Sequence, residues 1–84
     1  MHFKNFDFNN KNIVILGAGG AARAIIANLL RLKIKQLTII NRDLNKPRQI
    51  IDDYKSIHNN NIDISDWKIK NKILEHCHIL INTT

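Results

Sequence analysis

Residues 12–22, with the sequence NIVILGAGGAA, decide the fold of this chain. The apolar run over 13–16 predicts a buried strand, and Gly17 permits a tight turn where that strand ends. Gly19 leaves room for a pyrophosphate, which the backbone N–H groups of the following helix would face with the positive end of the helix dipole. The small Ala22 lets helix and strand approach closely. The stretch therefore predicts a dinucleotide phosphate site.

A second apolar run, over 37–40, predicts the next strand, and the residues after it indicate which dinucleotide is bound. An NAD-binding version of this arrangement has an acid at this strand end, where it bonds to the ribose 2′-OH. Here Asn41 and Arg42 take that place. Because a guanidinium suits a 2′-phosphate through charge-assisted, bidentate hydrogen bonds, the residues favour NADP.

The first helix is predicted over about 20–32 from its broad apolar face. Arg23, Asn28 and Arg31 are expected to point to water, although Arg23 lies near enough to the glycines to be considered for pyrophosphate contact. The residues expected to face the sheet are Ala21, Ala24, Ile25, Leu29 and Leu32.

The rest of the chain continues the alternation of strands and helices. A second helix is predicted to start within 44–47, to run through Tyr54 and to end at the asparagines 59–61. The alternation in 62–64 predicts a short strand, Ser65-Asp66-Trp67 a capped restart into a helix, and 79–81 a final buried strand. This order predicts an α/β fold, a partial Rossmann-like parallel sheet of about four strands flanked by helices.

Composition excludes several classes of protein. The formal net charge is +6 over 84 residues, but the lysines are scattered and no aromatic platform lies among them, so no nucleic-acid partner is expected. A single cysteine, Cys77, gives no disulfide framework, and no run is long enough for a membrane helix. We therefore expect a cytoplasmic protein without a membrane partner. His76, Cys77 and His78 lead into a strand, where successive side chains alternate in direction, and no fourth metal ligand lies nearby. No metal site is therefore predicted.

Three segments together are similar to the cofactor domain of the shikimate dehydrogenase family. They are GAGGAA at 17–22, NRDLNK at 41–46 and ILINTT at 79–84, and the resemblance spans nearly the whole chain. It implies an NADP-dependent oxidoreductase that reduces 3-dehydroshikimate to shikimate in the biosynthesis of chorismate and aromatic amino acids. The resemblance further implies roles for individual residues. The pyrophosphate would be bound by Gly17, Ala18, Gly19, Gly20 and Ala21, the 2′-phosphate by Asn41, Arg42 and Lys46, and Thr83 would lie near the nicotinamide ribose.

Asp43 departs from that family, which usually has threonine at this position. A carboxylate beside a 2′-phosphate is unfavourable unless it points away or pairs with a cation, whereas it could accept a hydrogen bond from a free 2′-OH. NAD is therefore kept as an alternative cofactor, as in relatives that act on quinate and shikimate.

The family also has a substrate domain that supplies a catalytic lysine and aspartate, and neither has a counterpart here. We accordingly divide the chain into a lead-in, 1–11, and a partial dinucleotide-binding domain, 12–84, and expect it to be inactive alone and to meet the small-molecule substrate through the missing domain. A fragment, a split gene product and a decayed reading frame remain open, as does the oligomeric state. The alternative functions are a vestigial nucleotide-binding module and a methyltransferase, the latter weakened by Asn41 where an acid is usual.

Overall fold

A four-stranded parallel sheet is the centre of the computed structural model, which describes residues 8–54 and 61–84. The strands are β1 (Asn12–Leu16), β2 (Gln36–Asn41), β3 (Asn61–Asp66) and β4 (Ile79–Asn82). They lie in the order β3-β2-β1-β4, and each neighbouring pair is parallel. This confirms the predicted Rossmann-like α/β fold.

Helices cover the two faces of the sheet unequally. Helices α1 (Gly20–Leu29) and α2 (Asn45–Asp53) pack on one face, and α3 (Lys70–Leu74), which follows a 3₁₀ turn at Trp67–Ile69, lies on the other. The chain moves outward from β1 to β3 and then returns to the other side of β1. This reversal makes the gap between β1 and β4 the topological switch point, where open α/β sheets bind ligands.

The core follows the alternation of side chains along β1. Ile13 and Ile15 face α1 and α2, whereas Val14 and Leu16 face the 3₁₀ turn and α3. All four are nearly inaccessible to solvent, which is typical of a central parallel strand that is covered on both faces.

The predicted face of α1 was partly wrong. The helix ends at Leu29 instead of Leu32, Ala21 and Ala24 are exposed, and Leu32 is 37% exposed. The residues that actually pack inward are Ala22, Ile25, Ile26 and Leu29. Alanines occur on every side of this helix, so hydrophobicity alone did not determine which side would contact the sheet.

The later elements match their predicted positions more closely, although the final strand, predicted to be buried, has Leu80 48% exposed and Ile79 and Ile81 only partly buried. Helix α2 begins within the predicted 44–47 but ends at Asp53, before the asparagines; residues 59 and 60 lie outside the described residues, and Asn61 opens β3. The capped restart is confirmed, because Asp66 Oδ1 accepts a hydrogen bond from the Lys68 N–H at 2.9 Å. Of the predicted lead-in, residues 1–7 lie outside the described part.

The helices in ranges 8–54 and 61–84 are too short or too polar to cross a lipid bilayer.

Candidate functional site

The carboxyl ends of the four strands meet at one edge of the sheet. Gly17, Arg42, Trp67 and Thr83 are each the first residue after a strand, β1, β2, β3 and β4 respectively. Because all strands run in the same direction, these four residues lie along the same edge, which is the ligand-binding edge in open α/β sheets. The sequence had indicated cofactor roles for Gly17, Arg42 and Thr83, and for Trp67 only a place in the capped start of a helix.

Gly17 is held in a conformation and a space that suit only glycine. Its φ is +107°, and its N–H donates to the Ile40 carbonyl at 2.9 Å. A Cβ at this position would collide with Thr83 Oγ1. That hydroxyl donates to the Leu16 carbonyl at 2.7 Å, and the Thr83 N–H reaches the same carbonyl at 3.0 Å. Thr83 therefore fastens the end of β4 against the glycine turn.

The next two glycines face open space. An added Cβ at Gly19 or Gly20 would find no atom within 4 Å. Both border a cavity of about 250 Å³, whose lining also includes Ala18, Arg23 and Lys46. The first N–H groups of α1 have no intrahelical acceptor. The cavity thus combines unpaired N–H donors at the start of α1, glycine backbone without side chains, and the lysine Lys46. This combination suits a phosphate-containing ligand.

The turn after β2 is held by local hydrogen bonds that involve two of its polar residues. Asn41 Nδ2 donates to the Asp43 carbonyl at 2.8 Å, and Asp43 Oδ1 accepts from the Asn45 N–H at 2.9 Å. The second bond is an Asx turn, which leads the chain into α2. The Asp43 carboxylate is thus directed at backbone, while Arg42 and Lys46 on either side remain exposed.

Arg23 links the two helices that border the cavity. Its guanidinium forms an ion pair with Asp53 near the end of α2 and lies 5.6 Å from the centroid of the Tyr54 ring. The expectation that it points freely to water was therefore incomplete, since it is only partly exposed and paired.

Asp53→Asn is expected to lower the free energy of unfolding by less than about 1 kcal/mol, because both partners of this ion pair are substantially exposed. The carboxylate also lies in the last turn of α2, where the helix dipole disfavours negative charge and offsets part of the attraction. Urea denaturation would measure the loss, with Asp52→Asn as the matched control. A loss above roughly 2 kcal/mol, twice the usual limit for a surface ion pair, would contradict a solvent-screened pair.

A second cavity, of about 570 Å³, lies on the α3 side of the sheet. Its lining includes Thr38, Asp63, Ser65 and Cys77, and none of the residues predicted to bind the cofactor. We therefore attribute this cavity to the incomplete covering of that face of the sheet by α3. The exposure of Leu80, at 48%, agrees with this interpretation.

The histidines and cysteine before β4 serve local structure. His78 Nδ1 accepts a hydrogen bond from the Asn12 N–H at 2.9 Å, and Cys77 packs partly buried against the α3-side core. Within 8–54 and 61–84, no three His, Cys, Asp or Glu side chains converge as metal ligands would.

Comparison with known proteins places this architecture in a family. The family model described as shikimate / quinate 5-dehydrogenase matches residues 2–84. A shikimate dehydrogenase (NADP(+)) of Prochlorococcus marinus strain MIT 9515 is 37% identical over 87 aligned residues, which cover 96% of this chain and 28% of that protein.

Two solved structures are similar to this chain over most of its length. Shikimate 5-dehydrogenase from Listeria monocytogenes, crystallised with shikimate and NAD, matches 93% of this chain and 29% of its own, with a TM-score of 0.79 and 25% identity. The ligand-free 5-ketofructose reductase of Gluconobacter sp. strain CHM43 matches 95% of this chain and 29% of its own, with a TM-score of 0.75 and 31% identity.

This chain thus spans a little over a quarter of the length of these relatives. The match nevertheless includes the glycine turn, the turn after β2 and the end of β4, since the family model extends to Thr84. The chain belongs to the shikimate / quinate 5-dehydrogenase family.

Proposed function

We propose that residues 12–84 are the cofactor-binding portion of an NADP-dependent oxidoreductase that interconverts 3-dehydroshikimate and shikimate. One observation carries the proposal: Gly19, Gly20 and Lys46 border the same open cavity at the carboxyl edge of the sheet. Backbone donors there suit a pyrophosphate, and the lysine supplies positive charge from the facing helix. The family membership and the names of the relatives support the reaction class.

In this proposal each part of the edge has a separate task. The N–H groups at the start of α1 bind the pyrophosphate, and Gly19 keeps the backbone free of a side chain where the phosphates approach. Arg42 and Lys46 neutralise the 2′-phosphate. Thr83, at the switch point, lies where the nicotinamide ribose enters. A bound nicotinamide would supply hydride exchange at C4, with the substrate held by a domain outside residues 12–84.

The geometry of Asp43 favours NADP over NAD. Its carboxylate accepts from the Asn45 N–H and so is used to start α2, whereas recognition of a free 2′-OH would need a carboxylate aimed at the ribose. NAD is retained as the second candidate, because the Listeria relative was crystallised with NAD.

Calorimetric titration of the full chain with NADP and with NAD tests the proposal, after circular dichroism has shown that the chain folds. We expect NADP to bind more tightly. A folded chain that binds neither nucleotide would instead support a vestigial module that has kept the fold without the function.

Arg42→Ala is expected to weaken NADP binding about 10- to 100-fold, the equivalent of about 1.5–3 kcal/mol for hydrogen bonds to a charged group. NAD binding should change less than about twofold, since NAD has no 2′-phosphate for this side chain to contact. Arg31→Ala is the matched control, because Arg31 is an exposed arginine just beyond the carboxyl end of α1, away from the glycine turn. Equal losses for both cofactors would refute the role of Arg42.

A further inference from the structure

Arg42 and Lys70 both lie over the indole of Trp67. The Arg42 guanidinium carbon is 5.2 Å from the ring centroid, and Lys70 Nζ is 4.5 Å from it. Both distances are within the range of a cation–π interaction. We call these three residues the Trp67 cluster. It joins the turn after β2 to the 3₁₀ turn after β3.

The indole is the fixed member of the Trp67 cluster. Trp67 is partly buried and packs against Val14, Leu16 and Ile40 in the α3-side core. Its backbone lies in the 3₁₀ turn capped by Asp66. Arg42, in contrast, is exposed. The ring therefore restricts a side chain that would otherwise sample many rotamers.

The register of the sheet creates this contact. Asn41 pairs with Asp66 at the ends of β2 and β3, so the next residue along each strand is Arg42 on one and Trp67 on the other. The sequence separates the two residues widely, and only the parallel pairing brings them together.

The cluster also concentrates positive charge. Two cations share one aromatic ring at the edge where Arg42 is proposed to meet a phosphate. An anion that meets Arg42 at this edge is attracted by both positive charges, and the attraction grows with the charge of the anion. The arrangement suits a dianionic group and adds nothing for a neutral hydroxyl.

We propose that Trp67 is a positioning residue for cofactor selection, which holds Arg42 ready for the 2′-phosphate while Lys70 adds a second positive charge. This inference rests on the proposed function. It assigns the preference for NADP over NAD to a pre-organised pair of cations on one ring, beyond Arg42 alone.

Trp67→Leu is expected to weaken NADP binding about three- to tenfold by removing the π face, while it retains an apolar side chain against the core. NAD binding should stay within about twofold, because NAD has no 2′-phosphate for Arg42 to contact. Trp67→Phe, which keeps an aromatic face, should recover most of the loss. In an Arg42→Ala background, Trp67→Leu should weaken NADP binding less than it does in the unchanged chain, since the indole then positions Lys70 alone.

A fluorescence titration provides an independent measurement on the unchanged chain. Trp67 is the single tryptophan, so its emission reports this cluster alone. We expect adenosine 2′,5′-diphosphate to change the emission and adenosine 5′-monophosphate, which lacks the 2′-phosphate, to leave it nearly unchanged. This comparison holds even if Trp67→Leu does not fold.

The outcomes separate the two proposals. No preference of the unchanged chain for NADP would overturn the proposed cofactor function, and this inference with it. If the unchanged chain prefers NADP, three results would each overturn the role of Trp67 only. The first is an equal effect of Trp67→Leu on NADP and NAD binding, and the second is a loss fully additive to that of Arg42→Ala. The third is an identical emission change for the two adenosine phosphates.

Discussion

Ile26→Ala is expected to lower the free energy of unfolding by about 2–5 kcal/mol, the usual cost of truncating a buried isoleucine to alanine. Ile26 is completely buried between α1 and the sheet, where it belongs to the larger core cluster. Removal of the side chain loses its burial and leaves a cavity that the surrounding residues fill only in part. In a domain of this size such a loss is a large share of the total stability.

Leu32→Ala is the matched control for that experiment. Leu32 is 37% exposed and lies beyond the end of α1. Its truncation should therefore cost less than about 1 kcal/mol. Urea denaturation followed by circular dichroism measures both variants, provided that the slope of the transition is unchanged. A greater loss for Leu32 than for Ile26 would restore the helix face that the sequence pattern had predicted.

Gly17→Ala is the second change with a large expected effect, a loss of about 1–3 kcal/mol from backbone strain at a positive φ, together with a steric collision. The added Cβ would meet the Thr83 hydroxyl, which is already bonded to the Leu16 carbonyl. The collision therefore separates β4 from the glycine turn or displaces the turn itself. We expect a lower urea midpoint and weaker NADP binding together.

Gly19→Ala separates those two effects. Gly19 has a φ of −84°, and its Cβ would meet no atom within 4 Å. Folding stability should change by less than about 1 kcal/mol. Under the proposed function, however, the methyl group occupies space that the pyrophosphate needs, so NADP binding should fall. An unchanged urea midpoint for Gly17→Ala would contradict the expected collision between the added Cβ and the Thr83 hydroxyl.

The strands were predictable from sequence because short apolar runs that alternate with helices are typical of the strands of a parallel sheet. Residues 13–16, 37–40 and 79–81 are mostly isoleucine, valine and leucine, and each run lies within an observed strand. The glycine turn was equally visible, since glycines directly after a buried strand and before a helix have few other uses.

The inward face of α1 was less predictable. Its alanines satisfy an apolar pattern in more than one orientation, and contact with β1 and β2 selected Ile26 over Ala24. The two partners of Arg23 were not predictable either, because Asp53 and Tyr54 lie about thirty positions away, at the end of another helix.

The sequence by itself determined the α/β class, the order of strands and helices, the glycine turn and the family, because local pattern and spacing specify each of these. Only the tertiary structure decided that Thr83 closes against Gly17, that Asp43 is directed at the start of α2, and that Trp67 lies beneath Arg42. The first and last of these contacts depend on strand pairing, and that of Asp43 on the conformation of a single turn. Hydrophobic periodicity predicts neither strand pairing nor the conformation of a turn, since it indicates which residues are buried and not which residues they contact.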